Sequence, residues 1–472
     1  MGCPAGAGVP GAGRPRRLGE ASPVRVDGRA LGVYLLGVFL GALDTGVIGP
    51  AFPVIARAFH VSLRWNAWTV TVYTVAYVAS TVMAGALGDR IGRRRVFRAG
   101  LVAFGVASLL ATFSAGAGFW AFLAARAIQG AGAGAVYPNA QAEGVALFPR
   151  ERRGLALGVF GGVFGLAAVV GPNVGGALAQ FVGWPAIFAI NVPLAGLAVA
   201  AAREPRGPAR AAVAATDGIP DPAGGVGFSA GLTGLLLALA VPGPWRWLCL
   251  AGGAAAVALF AWRQRTARLP FLDTGPLASR GGIALIAGAA VIGLDMSAAV
   301  FVPSMAQARL HLGVFASGVA LMPAALSGAV LAGAGGVLVD RIGPRGPLQV
   351  GLAAAVLGGV LLGRGTLHMA GFVAAMLCLG LATAFTMGAP INRMALSLYR
   401  DERPGLALSL IAVFRSVGLA AGPVILTAAA ARAGFPGMFR AVAIASALGV
   451  LVFTLVPNVR PERRAALGRP TA

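Results

Sequence analysis

The chain repeats itself at an offset of 251 residues. Residues 85–93, GALGDRIGR, recur as residues 336–344, GVLVDRIGP, and residues 151–157, ERRGLAL, recur as residues 402–408, ERPGLAL. The same offset relates Asp44 to Asp295 and places Gly171 opposite Gly422. The repeat includes charged residues that an apolar chain would otherwise exclude. The sequence therefore predicts two homologous halves.

Most of the chain cannot face water. Hydrophobic residues make up 58% of the sequence and charged residues 11%, and the mean hydropathy is +0.81. Apolar runs of about 20 residues are long enough to cross a hydrocarbon core of about 30 Å. An all-α membrane protein is expected. Many transporters consist of two such halves, because a site between them can open to either side, so transport is the leading hypothesis.

The apolar runs predict fourteen transmembrane helices, six in each pseudo-symmetric half and two extra helices between the halves. These spans 1 to 14 are centred near residues 43, 76, 105, 130, 165, 192, 233, 254, 292, 325, 356, 380, 416 and 446. Both termini and both linkers are assigned to the cytoplasm. The predicted ranges are a disordered tail (1–28), the first six-helix half (29–202), a linker (203–227), the two extra helices (228–262), a second linker (263–280), the second six-helix half (281–457) and a tail (458–472).

The basic residues report topology rather than a nucleic-acid partner. All 38 are arginines, and they fall in short clusters between the apolar runs, although the net charge is +23. With a cytoplasmic N-terminus, 29 arginines lie on the inner side, 7 lie in outer loops, and only Arg126 and Arg415 lie within spans. This asymmetry satisfies the positive-inside rule. The absence of lysine, with excess Ala and Gly, is typical of a high-GC bacterium, so the cytoplasmic membrane of a bacterium is the expected location.

Enzyme chemistry has little support in the sequence. Without lysine, the chain has no phosphate-binding Gly-x-x-x-x-Gly-Lys motif. Cys3, Cys249 and Cys378 are far apart, so neither a disulfide framework nor a metal site follows. No nucleophile, histidine and acid arrangement stands out among the three histidines. We expect neither an enzyme nor a metal site.

Six motifs occur in order through the first half. They are LDT at 43–45 with Pro53, Trp68 with Tyr73, residues 85–95, RAIQGAG at 126–132, residues 158–176, and Trp184 followed by FAINVP at 188–193. With these motifs the chain resembles the major facilitator superfamily, and within it the fourteen-helix drug:proton antiporters, which export multiple drugs or secondary metabolites and confer antibiotic resistance. The resemblance implies the major facilitator fold, transport that is driven by the proton gradient, and no cofactor. Gly49, Ala167 and Pro185 depart from the pattern, which bears on drug range more than on fold.

Two acids are expected near the middle of the membrane. Asp44 and Asp295 each lie 13 to 15 residues from an arginine on either side. An ionised carboxylate there costs about 2.5 to 3.5 kcal/mol on insertion scales, so each should face a cavity or a partner. Both are candidate proton-coupling residues. The alternative is a structural aspartate that pairs with an arginine or bonds to helix backbone.

The two midspan arginines are further candidates. The resemblance implicates Arg126 in proton transfer, and Gln129 shares its helical face; the alternative role for Arg126 is a counter-ion for Asp44 or a helix anchor. Arg415 is predicted either to select substrate or to pair with Asp295. A substrate cavity should hold apolar and aromatic side chains with a few charges. Its candidate residues are Arg415, Gln129, Tyr137, Phe164, Phe301 and Phe385.

The repeated loops predict a cytoplasmic latch. Asp89 would accept bonds from the start of span 13 near Gly405, where the helix dipole favours an anion, and Asp340 would do the same for span 5 near Gly154. Glu143 is a candidate partner for Arg93 or Arg94. The alternative is that the arginines only set topology. The latch residues are Gly85, Asp89, Arg90, Gly92, Arg93, Glu143, Asp340 and Arg341.

The glycine-rich fifth span matches the family's antiporter motif. The motif residues are Gly158, Gly171, Pro172, Gly175 and Gly176. Small residues let helices approach closely in lipid, so we expect close contact with span 10 of the other half, at Gly328, Gly335 and Gly336. Ordinary helix packing is the alternative.

Three functions remain open on the sequence. The first is an exporter that exchanges protons for an amphipathic drug or metabolite, the second a proton symporter or uniporter for a small nutrient, and the third a membrane sensor without transport. The span 5 motif favours the first over the second. The cost of two midplane acids argues against the third. The expected partners are a small amphipathic substrate, protons and lipid, with no nucleic acid, and the chain is expected to be a monomer.

Overall fold

The computed structural model describes residues 2, 27–149, 153–202, 221–241, 243–270, 279–387, 389–398 and 404–456. Within these ranges every regular element is a helix, which confirms the all-α class. The predicted tails lie almost entirely outside the described ranges, as does most of the first linker.

The first half consists of α1 to α8. Asp27 caps the first helix by accepting the backbone N–H groups of Arg29 and Ala30. The helices are α1 (Gly28–Ala58), α2 (Leu63–Asn66), α3 (Trp68–Ile91), α4 (Arg93–Thr112), α5 (Phe119–Ala146), α6 (Arg153–Phe181), α7 (Ala186–Ala189) and α8 (Asn191–Ala201).

A helical hairpin and the second half follow. The hairpin is α9 (Pro222–Ala240) and α10 (Trp245–Thr266). The second half is α11 (Arg280–Ala298), α12 (Val302–Arg309), α13 (Val314–Val319), α14 (Met322–Ile342), α15 (Arg345–Leu362), α16 (Met369–Thr386), α17 (Ala389–Leu398) and α18 (Pro404–Thr454). The backbone leaves helical geometry at Ala433 and Gly434, so α18 is two helical segments joined by a kink.

The hairpin is longer than the sequence analysis expected. Asp221 caps α9 by accepting the Gly224 N–H, and its carboxylate lies 2.6 Å from the Arg263 guanidinium of α10. This bond ties the two extra helices together at one end. The hairpin starts at Pro222 and ends at Thr266, so it extends at both ends into the ranges that were predicted as linkers.

Ten helical segments in the described ranges are long and apolar enough to cross a membrane, and Ala186–Ala201 and Pro222–Ala238 are shorter apolar helices. The chain is thus a multi-pass membrane protein. The count of fourteen is not established by these segments.

The repeat of the sequence is also a repeat of backbone geometry. A left-handed backbone is uncommon, above all outside glycine. Three pairs of residues with this geometry stand 251 apart in the chain: His60 and His311 (φ 53° in both), Gly92 and Gly343 (105° and 85°), and Gly183 and Gly434 (117° and 63°). The two halves therefore turn at equivalent places.

Hydrogen bonds between the two halves gather at one end of the bundle in the described ranges. Gln307 donates to the Pro50 carbonyl at 3.1 Å, and the Phe315 N–H donates to the Gln180 side-chain carbonyl at 2.8 Å. This is the end at which α1 and α6 finish. The Thr71 hydroxyl also donates to the Ala420 carbonyl, which joins α3 to α18 on the same side. These contacts close the bundle at that end.

Candidate functional site

Asp44 lies at the centre of a buried polar cluster in the first half. Its Oδ2 accepts from Arg126 Nη1 at 2.6 Å, and its Oδ1 accepts from Gln129 Nε2 at 2.8 Å and from Asn191 Nδ2 at 3.1 Å. Asp44 and Gln129 are 0% exposed, and Arg126 and Asn191 are 1% exposed. The cluster therefore joins α1, α5 and α8 through one carboxylate.

The Arg126 guanidinium has further partners besides Asp44. Its Nε donates to the Thr69 carbonyl at 3.2 Å, and its Nη1 also donates to the Gln129 side-chain oxygen. It lies over the Tyr73 ring at 4.3 Å and over the Phe188 ring at 5.6 Å. Breaking such a buried ion pair by removing one partner costs about 3 to 5 kcal/mol. Arg126 is thus the counter-ion of Asp44.

Asp295 has a different environment at the equivalent position of the second half. It lies on α11, half-buried, and its two oxygens lie 3.0 and 2.9 Å from the Ser446 hydroxyl. That hydroxyl also lies 2.8 Å from the Val442 carbonyl, and it has only one proton to donate. No cation pairs with Asp295 in the described part of the chain.

The asymmetry between the two acids follows from the sequence. The residues 251 positions after Arg126 and Gln129 are Leu377 and Gly380, which can neither neutralise a carboxylate nor donate a side-chain bond to it. The second half therefore keeps the acid and lacks its counter-ion.

Arg415 does not form the ion pair with Asp295 that was one of its two predicted roles. Its half-buried side chain, on the first segment of α18, lies within electrostatic range of the Tyr77 and Tyr137 hydroxyls of the first half. Gly293 of α11 packs on the backbone carbonyl of Arg415. The side chain of Arg415 is thus directed to the first half, while Asp295 bonds to Ser446 on the second segment of α18.

The structure brings three of the predicted cavity residues together. The Phe164 ring contacts the Tyr137 ring edge-on, with 5.4 Å between centroids and 77° between planes. Phe164 is 40% exposed. Gln141 donates to the Tyr137 oxygen at 3.3 Å. Tyr137, Phe164 and Arg415 therefore face one region from α5, α6 and α18.

Phe301 and Phe385 are packed in the interior, contrary to the expectation that they line a cavity. Phe301 is 0% exposed and contacts Phe52 edge-on at 5.1 Å. Phe385 is 7% exposed and fills the space beside Gly335 and Gly351. Gln129 likewise belongs to the Asp44 cluster. A helix that is apolar on every face gives no sequence signal for which aromatic side chain points inward.

The glycines of α6 pack chiefly on α1 of the same half, not on span 10 as predicted. Gly171 contacts the backbone of Gly46, and a Cβ at Gly175 would lie 2.3 Å from the Val47 carbonyl oxygen. These contacts fall within three residues of Asp44. The motif therefore holds α6 against the helix that carries the acid.

Span 10, which comprises α13 and α14 in the structure, still contacts α6, but at other residues than expected. Gly176 contacts the Phe315 backbone, and the Pro172 carbonyl lies against Gly318. The predicted residues lie elsewhere: Gly328 packs beside Gly380, Gly335 packs beside Phe385, and Gly336 has open space. Among the described residues, α6 thus contacts the second half mainly through the short helix α13. The surroundings of Gly158 lie outside the described residues.

The latch is only partly visible. Gly92 has the left-handed φ of 105° that ends α3 before Arg93, and Arg341 is exposed. Glu143 interacts with the Tyr34 hydroxyl, and Arg94 lies within electrostatic range of the same hydroxyl.

A Cβ at Gly85 would lie 3.9 Å from Pro138. The side chains of Asp89, Arg90 and Asp340 lie outside the described part of the chain. The capping that was predicted for Asp89 and Asp340 therefore stays a prediction.

Sequence reasoning missed four site residues. Asn191 stood in the FAINVP motif, and its amide beside a membrane span was a signal that went unused. Ser108 accepts a hydrogen bond from Gln129 Nε2 at 2.9 Å. Tyr77 and Ser108 carry hydroxyls inside spans, but many interior hydroxyls bond only to helix backbone. Ser446 had no signal from the repeat, because its equivalent is Ala195.

Comparison with known proteins agrees with this architecture. Residues 34–423 match the model of the Major Facilitator Superfamily. An uncharacterized MFS-type transporter of Mycobacterium tuberculosis is 33% identical over 85% of this chain and 69% of its own length. The puromycin resistance protein of Streptomyces alboniger is 31% identical over 90% of this chain and 89% of its own length.

Two further proteins extend the comparison. The tetracenomycin C resistance and export protein of Streptomyces glaucescens is 33% identical over 69% of this chain and 61% of its own length. The crystal structure of a D-xylose-proton symporter superposes with a TM-score of 0.65 at 15% identity, and covers 92% of this chain and 99% of that one. This last likeness concerns the fold alone.

Proposed function

The chain belongs to the Major Facilitator Superfamily and is a membrane transporter, and on that premise we propose that it is a proton-coupled exporter of amphipathic drugs or secondary metabolites. The names of two relatives, a puromycin resistance protein and a tetracenomycin C resistance and export protein, support export. The observation that carries proton coupling is the pair of equivalent midspan acids, of which only one has a counter-ion within the described ranges.

Asp295 is the carboxyl that we assign to the coupling proton. An ionised carboxylate in the membrane interior is costly without a counter-ion. Its bond to the Ser446 hydroxyl stabilises either form, because that hydroxyl donates to a carboxylate and accepts from a carboxylic acid. Asp295 therefore binds a proton while shielded from water and releases it when its surroundings open to the cytoplasm.

Asp44 and Arg126 act as the second element of coupling. A proton on Asp44 would leave the Arg126 guanidinium buried without a counter-ion, which is strongly unfavourable. Protonation of this pair is therefore linked to rearrangement of α1, α5 and α8, the helices that the cluster joins. Since α6 packs on α1 beside Asp44, the rearrangement extends to α6 and to its contact with α13.

The topology follows from the arginine asymmetry. We propose fourteen crossings, with α2 and α3 together forming one span and the kink in α18 separating two others, and with both termini on the cytoplasmic side of a bacterial membrane. In this orientation the bond between Gln307 and Pro50 lies at the outer end. The state described here is then closed outward, and the predicted Asp89 and Asp340 latches would hold the opposite state. The transporter acts as a monomer.

A symporter for a small nutrient is the alternative with a specific observation behind it, the fold likeness to a D-xylose-proton symporter. The identity of 15% limits that likeness to the fold. The two functions differ in one measurable way, because an antiporter moves protons and substrate in opposite directions.

The test uses everted membrane vesicles from a bacterial host without its own efflux pumps. After respiration acidifies the vesicle lumen, each compound of a toxic-compound panel is added and the pH dye acridine orange reports proton exit. Export by exchange predicts that a substrate restores dye fluorescence in vesicles with the native protein. Vesicles with Asp295→Asn should not respond, while those with Asp27→Asn, a change at the exposed cap of α1, should respond normally. Proton movement in the same direction as substrate would overturn the proposal and establish symport.

A further inference from the structure

We propose that Arg415, Tyr77 and Tyr137 bind the acidic group of an aromatic substrate, so that aromatic anions are among the compounds this protein transports. The inference rests on the proposed transport function and names its substrate class. The supporting features are an arginine that has no counter-ion among the described residues, two tyrosine hydroxyls on the opposite half and an accessible aromatic ring that contacts one of these tyrosines.

The first step is a charge count in the interior. Arg126 is neutralised by Asp44 at 2.6 Å. Arg415 forms no ion pair or side-chain hydrogen bond within the part of the chain that the structure describes. Asp295 does not compensate it, because that carboxyl bonds to Ser446 on another helical segment. An arginine with no counter-ion is costly inside a membrane, so a functional anion is the natural partner.

The second step is position. The Thr71 hydroxyl donates to the Ala420 carbonyl at 2.9 Å, which fixes α3 against α18. Tyr77, six residues after Thr71 on α3, packs in the same apolar cluster as Ile411, which lies nine residues before Ala420 on α18. Arg415 lies between these two contacts along α18 and reaches both tyrosine hydroxyls electrostatically. The guanidinium is therefore at the boundary of the two halves, where alternating access requires a substrate site.

The third step is the set of donors. Gln141 donates to the Tyr137 oxygen at 3.3 Å, which leaves the Tyr137 hydroxyl proton free to donate to a ligand. A guanidinium forms two parallel bonds with a carboxylate, a geometry that a lysine ammonium does not offer. Together the hydroxyls and the guanidinium suit a carboxylate or an ionised phenol.

The fourth step is the aromatic surface. Phe164 occupies the position of the first half that is equivalent to Arg415, and both approach Tyr137. The repeat thus places an accessible ring and a charge at equivalent positions, and both lie near Tyr137. Aromatic rings prefer offset or edge-on neighbours, so Phe164 and Tyr137 can hold the ring system of a ligand beside the guanidinium.

The experiment measures binding to the purified full chain in lipid nanodiscs without any proton gradient. The probes are fluorescein, an aromatic anion, and a rhodamine ester, a cation built on the same xanthene rings, each followed by fluorescence anisotropy. Wild type should prefer fluorescein. Arg415→Gln should weaken fluorescein binding about tenfold or more, as expected for loss of a charge-assisted bond. Arg432→Gln, at an exposed position of the same helix, is the control and should leave binding unchanged.

Tyr77→Phe and Tyr137→Phe remove only a hydroxyl, so they test the site even if the arginine variant fails to fold. Each should weaken fluorescein binding several-fold and leave the rhodamine ester unaffected. Equal binding of the two dyes by wild type, or unchanged fluorescein binding in a folded Arg415→Gln protein or in both tyrosine variants, would overturn the proposal. Because no gradient is present, a protein that binds fluorescein but moves no protons would contradict the proposed coupling alone.

Discussion

Asp44 and Asp295 occupy the same position in the two halves, yet among the described residues only Asp44 has an arginine against its carboxylate, with Arg126 Nη1 at 2.6 Å. Asp295 has the Ser446 hydroxyl instead, at 2.9 and 3.0 Å. The repeat preserves the acids and changes what surrounds them. We infer that the ion pair organises one half and that the other acid exchanges the coupling proton.

The ion pair of the first half should be visible in stability. Asp44→Asn leaves the buried Arg126 charge without its counter-ion, so we expect a loss of about 3 to 5 kcal/mol and a clearly lower midpoint of thermal unfolding. The double variant, Asp44→Asn with Arg126→Gln, should recover part of that loss. Thermal unfolding of the detergent-purified variants, with Asp27→Asn as control, provides the measurement. A single variant as stable as wild type would show that the pair does not organise the half.

The contact between α6 and α1 should tolerate no side chain. Gly175→Ala places a Cβ about 2.3 Å from the Val47 carbonyl oxygen, which cannot move without moving α1. We expect destabilisation of about 1 to 3 kcal/mol and loss of transport. Gly162→Ala on the same helix is the matched control, because open space surrounds it. Equal transport by the two variants would contradict the close contact.

The hairpin of α9 and α10 should loosen in acid. The hydrogen bond from Arg263 holds the pKa of the Asp221 carboxyl below its ordinary value of 3.8. A lowered folded-state pKa contributes stability that is present above the ordinary value and is lost as pH falls through the folded value. The protection of the α9 and α10 backbone amides from hydrogen exchange, taken relative to the intrinsic exchange rate at each pH, should therefore fall in that acid range. Asp221→Asn should show fast exchange at neutral pH as well, and a wild-type-like profile in that variant would refute the role of the ion pair.

The end of the bundle at which α1 and α6 finish should open when its Gln307 bond is removed. Gln307→Ala deletes the side chain that joins α12 to the Pro50 carbonyl of α1. Spin labels at the exposed equivalent positions His60 and His311 should then show a longer and broader distance distribution by pulsed electron resonance. Gln349→Ala, which removes a contact within the second half, is the control. An unchanged distribution would mean that the Gln307 bond does not hold this end closed.

Some of this architecture could be predicted from residue types and spacing. The all-helical class follows from the apolar runs, and the repeat at 251 residues reappears as paired left-handed turns such as His60 and His311. The pairing of Asp44 with Arg126 was one of the roles that the sequence left open for Arg126. It follows from charge, because opposite charges in one interior tend to pair. These features depend on charge and length, which a sequence states directly.

The direction in which a side chain points was harder to predict. Phe301 and Phe385 are packed against neighbours such as Phe52 and Gly351, and the sequence pattern around them does not show which aromatic side chain points inward. The α6 glycines meet α1 rather than the predicted part of span 10, since glycine spacing shows that a helix approaches another and not which one. Arg415 and Asp295 remain apart because the Arg415 side chain is directed to the first half, whereas Asp295 bonds to Ser446 on the second segment of α18, and helix rotation fixes that choice.

The most direct test of the central claim is proton movement by purified Asp295→Asn in proteoliposomes. With a substrate identified from the compound panel, the native protein should release protons from an acidified lumen when substrate is added outside. Asp295→Asn should still exchange labelled substrate for unlabelled substrate, because binding is intact, but should move no protons. Substrate-driven proton release at the wild-type rate in that variant would contradict the assignment of the coupling proton to Asp295.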